Sequence, residues 1–329
     1  MTIFRWGILG AGSIAHKFAK GLNDLPDTEL YAVGSRSQAK ADAFADVYQI
    51  PQRYDSYEAL VADPKLDAIY VATPHTFHKE HSILAMSQGK AVLCEKPFAL
   101  NAAEAAEMIA FSRNHKVFLM EAMWSRFLPH MQKVKELINE GAIGELRMLQ
   151  ADFGFRMPEV MPEHRLFNPH LGGGALLDVG IYPISLAYFL FGKPKQIKTV
   201  ANLGSTSVDE EAVMLFQHEG GQLSLLSTAI RLNTPHEALL VGTEGQIRIH
   251  SSWWAPTTFT LEQKSKKAQL IEVDTPLNGY NYEALEVARC VQEGRLESET
   301  MPLDETLDIM KTLDSIRKEW GLSYPAEAK

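Results

Sequence analysis

An apolar run at residues 3–9 (IFRWGIL) leads directly into Gly10-Ala11-Gly12-Ser13-Ile14-Ala15, and a helical pattern follows over 12–23. That order constrains the chain more than any other feature. A buried strand, a glycine turn and a helix form the opening of a βαβ unit, and Gly-x-Gly-x-x-Ala is the spacing of a loop that wraps a dinucleotide pyrophosphate. Gly10 permits the tight turn, Gly12 lets the backbone approach the phosphates, and Ala15 keeps helix and strand close. The helix start, with Ser13 and Ile14, offers N–H donors and a positive dipole end to an anion. There is no Gly-Lys-[Ser/Thr], which excludes a P-loop nucleotidase.

The alternation continues. Strands are expected at 29–34, 68–72, 91–94 and 117–120, with helices at 37–48, 57–61, 76–88 and 101–115. Alternating strands and helices give a parallel, doubly wound sheet, and near-continuous apolar strands fit one covered on both faces. After about residue 125 the texture changes. A helix at 129–140 ends at Gly141, a suitable C-cap. Long alternating segments follow at 145–155, 196–203, 211–217, 222–232, 237–242, 246–250 and 257–262. A helical stretch at 173–191 interrupts them, and helices at 280–293 and 303–319 close the chain. The expected fold is an α/β Rossmann domain (1–123) followed by an α+β domain (124–329) with a large, mostly antiparallel open sheet. The C-terminal helix is free to pack back on the first domain. No Pro/Gly linker marks the boundary, which rests on the change of pattern alone.

Composition narrows the function classes. The 329 residues carry a formal net charge of −9 and no basic tract, which argues against nucleic acid as a partner. Two cysteines, Cys94 and Cys290, provide no disulfide framework and suit a reducing compartment. The N-terminal apolar run is short and broken by glycines, unlike a signal peptide. No stretch is expected to reach the roughly 18 apolar residues of a membrane helix. The expectation is a cytoplasmic protein without a membrane partner.

The end of the second strand reads Ser35-Arg36-Ser37, where NAD enzymes usually place a carboxylate for the ribose hydroxyls. A carboxylate would repel a 2′-phosphate, whereas an arginine fork pairs with one, so NADP(H) is favoured over NAD(H). Cys94-Glu95-Lys96-Pro97 follows the fourth strand, at the carboxyl edge where ligands of open parallel sheets bind. The sequence leaves open whether the bond before Pro97 is cis. A third constellation, Gly172-Gly173-Gly174-Ala175-Leu176-Leu177-Asp178-Val179-Gly180-Ile181-Tyr182-Pro183, places Asp178 and Tyr182 four apart, on one face of a helix.

The dinucleotide loop, the Glu-Lys-Pro segment and the Gly-Gly-x-x-x-Asp-x-Gly-x-Tyr segment together resemble the Gfo/Idh/MocA oxidoreductase family. The resemblance covers nearly the whole chain, including Gly141-Ala142-Ile143-Gly144. It is greatest to the dihydrodiol dehydrogenase and NADP-linked D-xylose dehydrogenase branch, through AVLCEKPFALNAAEAAEM, FLMEAMWSRFLP and LGGGALLDVGIYPI. Much of the family has His where this chain has Tyr182. The resemblance implies that Lys96 and Tyr182 are catalytic, with Tyr182 as general acid/base and Asp178 positioning substrate and lysine. Removing a hydride from a carbinol carbon requires its hydroxyl proton to leave as well, and a nearby ammonium brings a phenol, ordinarily titrating near 10, toward that task. Which of Lys96 and Tyr182 moves the proton stays open.

The resemblance also implies a cofactor-lining role for Thr73, Pro74, His75 and His78, beside Glu95, Lys96 and Pro97. It sets Trp124 and Arg126 at the substrate pocket, with plain core packing the open alternative for Trp124. Arg165 and Phe167, with Arg156 and His170, flank the glycine run as further pocket candidates. His75, His78 and His81 lack completing ligands, so no metal is expected. Trp253 and Trp254 follow an expected strand, and adjacent strand residues face opposite ways. One of them would then face a partner in a homodimer formed through the C-terminal sheet. The expected activity is hydride transfer between NADP(H) and a sugar, polyol or trans-dihydrodiol. The alternative is a non-catalytic NADP sensor on the same fold.

Overall fold

The computed structural model describes residues 3–23 and 25–328 and divides them into two compact units. The division is not the single cut expected between 123 and 124. Residues 276–310 group with the N-terminal segment through Trp124, and 311–329 group with 125–275.

The first unit holds β1 (Phe4–Leu9), α1 (Ser13–Leu22), β2 (Thr28–Gly34), α2 (Gln38–Tyr48), β3 (Gln52–Tyr54), α3 (Tyr57–Val61), β4 (Ala68–Val71), α4 (His78–Ser87), β5 (Ala91–Glu95), α5 (Ala102–His115) and β6 (Leu119–Ala122). All neighbours pair in parallel, in the order β3-β2-β1-β4-β5-β6. The order reverses between β1 and β4, so the loops after these two strands flank the crevice where such sheets bind ligands. Trp6, Ile8, Ile69, Tyr70, Val92 and Leu93 are buried, as expected of strands covered on both faces. Each large apolar side chain sealed this way contributes about 1.5–3 kcal/mol. β3 escapes a sequence reading because it is a three-residue, polar edge strand with no burial pattern to detect. The expected fifth strand at 117–120 lies two residues later, at Leu119–Ala122.

The return of 276–310 has a local cause. A Cβ on Gly21 would lie 3.0 Å from the Asn281 nitrogen, so the bare glycine on α1 admits the helix Tyr280–Gln292 (α8). Asn278 Nδ2 donates to Lys17 O at 2.7 Å beside it.

The second unit begins with α6 (Pro129–Asn139), with Gly141 at φ 75° just past its end. Then come β7 (Leu146–Gly154), a π-helical turn (Leu176–Gly180) running into α7 (Ile181–Phe191), and β8 (Pro194–Leu203), β9 (Asp209–His218), β10 (Leu223–Ala229), β11 (Ala238–Gly242), β12 (Gly245–Ile249), β13 (Phe259–Gln263) and β14 (Gln269–Ile271). The eight strands run β14-β13-β12-β11-β7-β10-β9-β8. Every pairing is antiparallel except β7 with β10. α8 (Tyr280–Gln292) belongs to the first unit, and α9 (Leu303–Trp320) starts in the first and ends in the second.

Two expectations fail here. The run Pro169–Phe191 is long and apolar enough to pass for a membrane span by length and composition, and 89% of its most apolar window is buried inside the protein. A helix apolar on all sides is what a core position demands. Trp253 and Trp254 stand in a turn rather than on a strand. Trp253 is buried and its Nε1 donates to Asp152 O at 2.8 Å, while Trp254 stacks on Phe153. Neither serves as an outward-facing strand residue.

Candidate functional site

Each unit carries one half of the predicted chemistry. In the first, Gly10 has φ 104°, and a Cβ there would lie 3.1 Å from Ala72 O and from Thr73 Cγ2. The loops after β1 and β4 therefore meet at a point only glycine accepts. A Cβ on Gly12 would meet only Ala72 O, at 3.9 Å, so the backbone beyond it lies open. Gly12 caps α1 without a side-chain hydrogen bond, and no acidic residue occupies the first turn. The helix thus leaves its first N–H groups, with Ser13 and Ile14, for an anion. Ala15 is sealed against the sheet. These features fit a dinucleotide pyrophosphate.

At the end of β2, Ser35 is buried and its amide donates to Tyr54 O at 3.0 Å. Arg36 is exposed, and its guanidinium sits 6.0 Å from the Phe77 ring centroid and hydrogen-bonds the Tyr57 hydroxyl. The Gly34–Ser37 segment has no carboxylate, which suits a ribose 2′-phosphate.

The Glu95–Phe98 turn is clamped from several directions. The Lys96–Pro97 bond is cis. The Lys96 amide donates to Glu95 Oε2 at 3.1 Å, and the Phe98 amide to Glu121 Oε1 at 3.1 Å. Lys96 itself is partly buried at the strand's carboxyl end. Glu95 is buried and receives the Tyr70 hydroxyl. Burial raises the Glu95 pKa, and the Lys96 charge opposes that rise. Behind it, Glu283 of α8 is fully buried, and among the described residues neither of its carboxyl oxygens has a hydrogen-bond partner. Burial, reinforced by Glu95, holds Glu283 well above the usual carboxylate range.

His78 lies behind the same turn instead of lining open space. It is fully buried, with Nδ1 2.8 Å from Pro97 O and Nε2 2.8 Å from Thr73 O. Two carbonyls favour an imidazolium, but burial is the larger effect and pushes the ring down to about 4. The neutral ring donates one N–H, tying the loop after β4 or the turn after β5 according to tautomer. His81, also near 4 through burial, bonds Thr73 Oγ1 at 2.9 Å. Pro74 is exposed and His75 partly so, beyond Thr73.

In the second unit, Asp178 sits in the π turn and Tyr182 one residue into α7. π turns interrupt α-helices most often at functional sites. Asp178 is buried and paired in a fork with Arg165, whose NH1 and NH2 lie 2.7 and 3.3 Å from its two oxygens. Tyr182 is 6% exposed. Its ring lies 5.3 Å from that of Phe153 and 6.3 Å from that of Trp254, and Phe153 and Trp254 stack at 3.3 Å. Tyr182 and Asp178 thus stand beside an aromatic wall, with an arginine on the carboxylate.

The remaining predicted pocket residues are placed differently. Phe167 is fully buried in a core cluster with Leu166, Ala175, Val179 and Ile230, so it packs and lines no pocket. Arg126 is buried, its guanidinium on the Ser185 hydroxyl and carbonyl at 2.8 and 2.9 Å, and it anchors α7. Trp124 is nearly sealed and stacks on Tyr280 at 4.3 Å within the first unit. Arg165 binds the motif carboxylate, a role beyond the hydroxyl contact expected of it. Arg156 and His170 are exposed. Among the described residues no group of three His, Cys, Asp or Glu is arranged to hold a metal. Sequence reasoning missed Trp254 as a neighbour of Tyr182, Glu283 behind Glu95, and Asp209, a buried carboxyl on the π turn. Asp209-Glu210-Glu211 reads as a solvated strand end, and nothing in it signals burial.

The geometry agrees with known proteins. A family profile described as an oxidoreductase family with an NAD-binding Rossmann fold matches residues 4–123, and the GFO/IDH/MocA C-terminal domain matches 131–248. The trans-1,2-dihydrobenzene-1,2-diol dehydrogenase of Danio rerio is 38% identical over 334 residues, covering 99% of each chain. That of Homo sapiens is 35% identical over 334 residues with the same coverage. A 3-ketoreductase from Actinomadura kijaniata, solved with NADP and TDP-benzene, is 25% identical with a TM-score of 0.83 over 96% of this chain and 97% of its own. An aldose-aldose oxidoreductase from Caulobacter crescentus, 24% identical, shares the fold with a TM-score of 0.88 over 97% of this chain and 98% of its own. The chain belongs to the Gfo/Idh/MocA oxidoreductase family and is an NAD(P)-linked dehydrogenase or reductase.

Proposed function

We propose that this enzyme moves a hydride between NADP(H) and the CH–OH carbon of a trans-dihydrodiol or a cyclic sugar, interconverting alcohol and carbonyl. The observation that carries the reading is Tyr182, a nearly buried phenol on a π-to-α segment beside Asp178 and the Phe153–Trp254 wall. When bound, the nicotinamide supplies the hydride acceptor or donor.

The chain's own residues divide the remaining work. The Gly10–Gly12 loop and the start of α1 hold the pyrophosphate. Arg36 pairs with the 2′-phosphate, and the absence of a nearby carboxylate avoids repelling it. Lys96 Nζ presents a cation at the β5 end, suited to a substrate oxygen gaining negative charge. Tyr182 Oη takes the hydroxyl proton during oxidation and returns it during reduction, a contribution of about 10²–10⁴ in rate. Arg165, forked onto both oxygens of Asp178, fixes the orientation of that carboxyl group. Phe153 and Trp254 offer flat apolar surface to a cyclohexadiene or to the C–H face of a sugar ring. The relatives named as dihydrodiol dehydrogenases support the first substrate class.

A sensor without turnover is not favoured, since it has no use for a proton-transfer set. Homodimerisation is part of the proposal. Val200 of β8, Val213 and Leu215 of β9, and Leu223 and Leu225 of β10 are exposed on neighbouring strands, with Val200 opposite Val213 and Leu215 opposite Leu225. A contiguous apolar sheet face of this kind suits a second copy.

The reading is tested by following reduced-nicotinamide absorbance with purified protein, NADP or NAD, and trans-1,2-dihydrobenzene-1,2-diol or D-xylose. Reduction of NADP well ahead of NAD is expected. Silence with both substrates while NADP binds tightly overturns it.

A further inference from the structure

The glycines ahead of Asp178 make room for a carboxyl group. Gly174 has φ 117°, and a Cβ there would overlap Asp209 Oδ1. Asp209 opens β9, where a carboxylate normally meets water, yet it is fully buried. Its Oδ2 accepts the Leu176 amide proton at 2.6 Å, at the first residue of the π turn. Oδ1 makes no well-aligned hydrogen bond among the described residues, although the backbone of Ala175 and of Asp209 itself lies close enough to favour the carboxylate. Burying a polar atom without a well-aligned partner is costly, so packing alone does not favour this choice.

The same loop is gripped from its other side. Tyr324 Oη donates to Gly173 O at 2.8 Å. A Cβ on Gly173 would lie 2.8 Å from Leu166 O and 3.0 Å from Arg165 O, so the segment carrying Arg165 packs directly on the glycines. Arg165 is the residue forked onto Asp178. The charged and titratable groups nearest Asp209 are Arg317 of α9 and Tyr324, and Arg317 is itself bonded to Asp314 and Glu327.

We propose that Asp209 is a positioning residue for proton transfer: by binding the Leu176 amide it fixes the start of the π turn, and with it the placement of Asp178 and Tyr182. The proposal rests on the reading of Tyr182 as the acid/base group. What it requires at position 209 is an acceptor oxygen, not a charge.

The test is steady-state oxidation of trans-1,2-dihydrobenzene-1,2-diol with NADP by the wild-type chain, Asp209→Ala, Asp209→Asn and Tyr182→Phe, with NADP affinity read by tryptophan quenching. Asp209→Ala is expected to lower kcat by up to about a hundredfold, the scale of a 1 Å misplacement, with NADP affinity unchanged. Asp209→Asn keeps an oxygen in the same place and is expected to restore most of kcat. Full kcat in Asp209→Ala beside an inactive Tyr182→Phe overturns the positioning role and leaves the reading of Tyr182 intact. An Asn variant as impaired as the Ala variant also overturns it. Full kcat in Tyr182→Phe, or no turnover in the wild-type chain, overturns the underlying reading and the proposal with it. If Asp209→Ala does not fold, the Asn variant decides alone, near-normal kcat supporting the role and a large loss rejecting it.

Discussion

The two units hold their functional groups by different means. The Rossmann unit works through backbone: a positive φ at Gly10, an uncapped helix start, and loops after β1, β4 and β5 fastened by short contacts. The sheet unit works through side-chain contacts: Asp209 on Leu176, Arg165 on Asp178, Tyr182 against Phe153. A backbone site tolerates varied side chains but not altered glycines. A side-chain site depends on single polar atoms, each with a desolvation cost that only its partner offsets. Damage to the first should appear as lost cofactor affinity, and damage to the second as lost turnover.

The largest expected effect sharpens that contrast. Tyr182→Phe removes the proposed proton carrier and should lower kcat by about 10²–10⁴, while NADP affinity measured by fluorescence titration stays at the wild-type value. Loss of both together would mean the units are not functionally separable. In the other half, Arg36→Ala removes charged hydrogen bonds worth about 1.5–3 kcal/mol, so the NADP Kd should rise about 10–100-fold. NAD affinity should hold, and an equal loss for NAD would assign Arg36 no part in cofactor choice. Gly10→Ala forces a side chain into a conformation costing about 1–2 kcal/mol, against Ala72 O. Weaker binding of both cofactors and a lower Tm should follow, and unchanged binding would break the backbone account of this unit.

The smallest effect concerns pH. Burial pushes Asp209 from 3.8 up to about 7. Between those values the folded chain keeps a proton that the unfolded chain has released, so this group's contribution to stability falls as pH rises through the window. Asp209→Asn has no such proton. Its Tm relative to wild type should climb from pH 4 to pH 7 and then level off. Parallel Tm curves would show that Asp209 is charged throughout.

The backbone half was the more legible in sequence. Gly10, Gly12 and Ala15 write a geometric demand directly into residue type, and Ser35-Arg36-Ser37 writes an electrostatic one. The Asp178–Tyr182 segment could be found by its spacing and resemblance, but its supports could not. Asp209 looks like a surface acid until the fold buries it. Phe167 and Trp254 are both aromatics lying between expected elements, and only packing shows that one fills the core and the other stands by Tyr182. The resemblance gives His78 a cofactor-lining role, yet both ring nitrogens face backbone carbonyls. The return of 276–310 to the first unit depends on Gly21, a helix-interior glycine whose bareness matters only once α8 lies against it.

The central claim is direct hydride transfer from a CH–OH carbon to NADP, and isotopic labelling tests it most directly. Trans-1,2-dihydrobenzene-1,2-diol deuterated at its carbinol carbons, incubated with NADP and the wild-type chain, should yield NADPH carrying deuterium by mass spectrometry, with slower turnover than the unlabelled diol. Unlabelled NADPH, or no NADPH at all, would contradict the account.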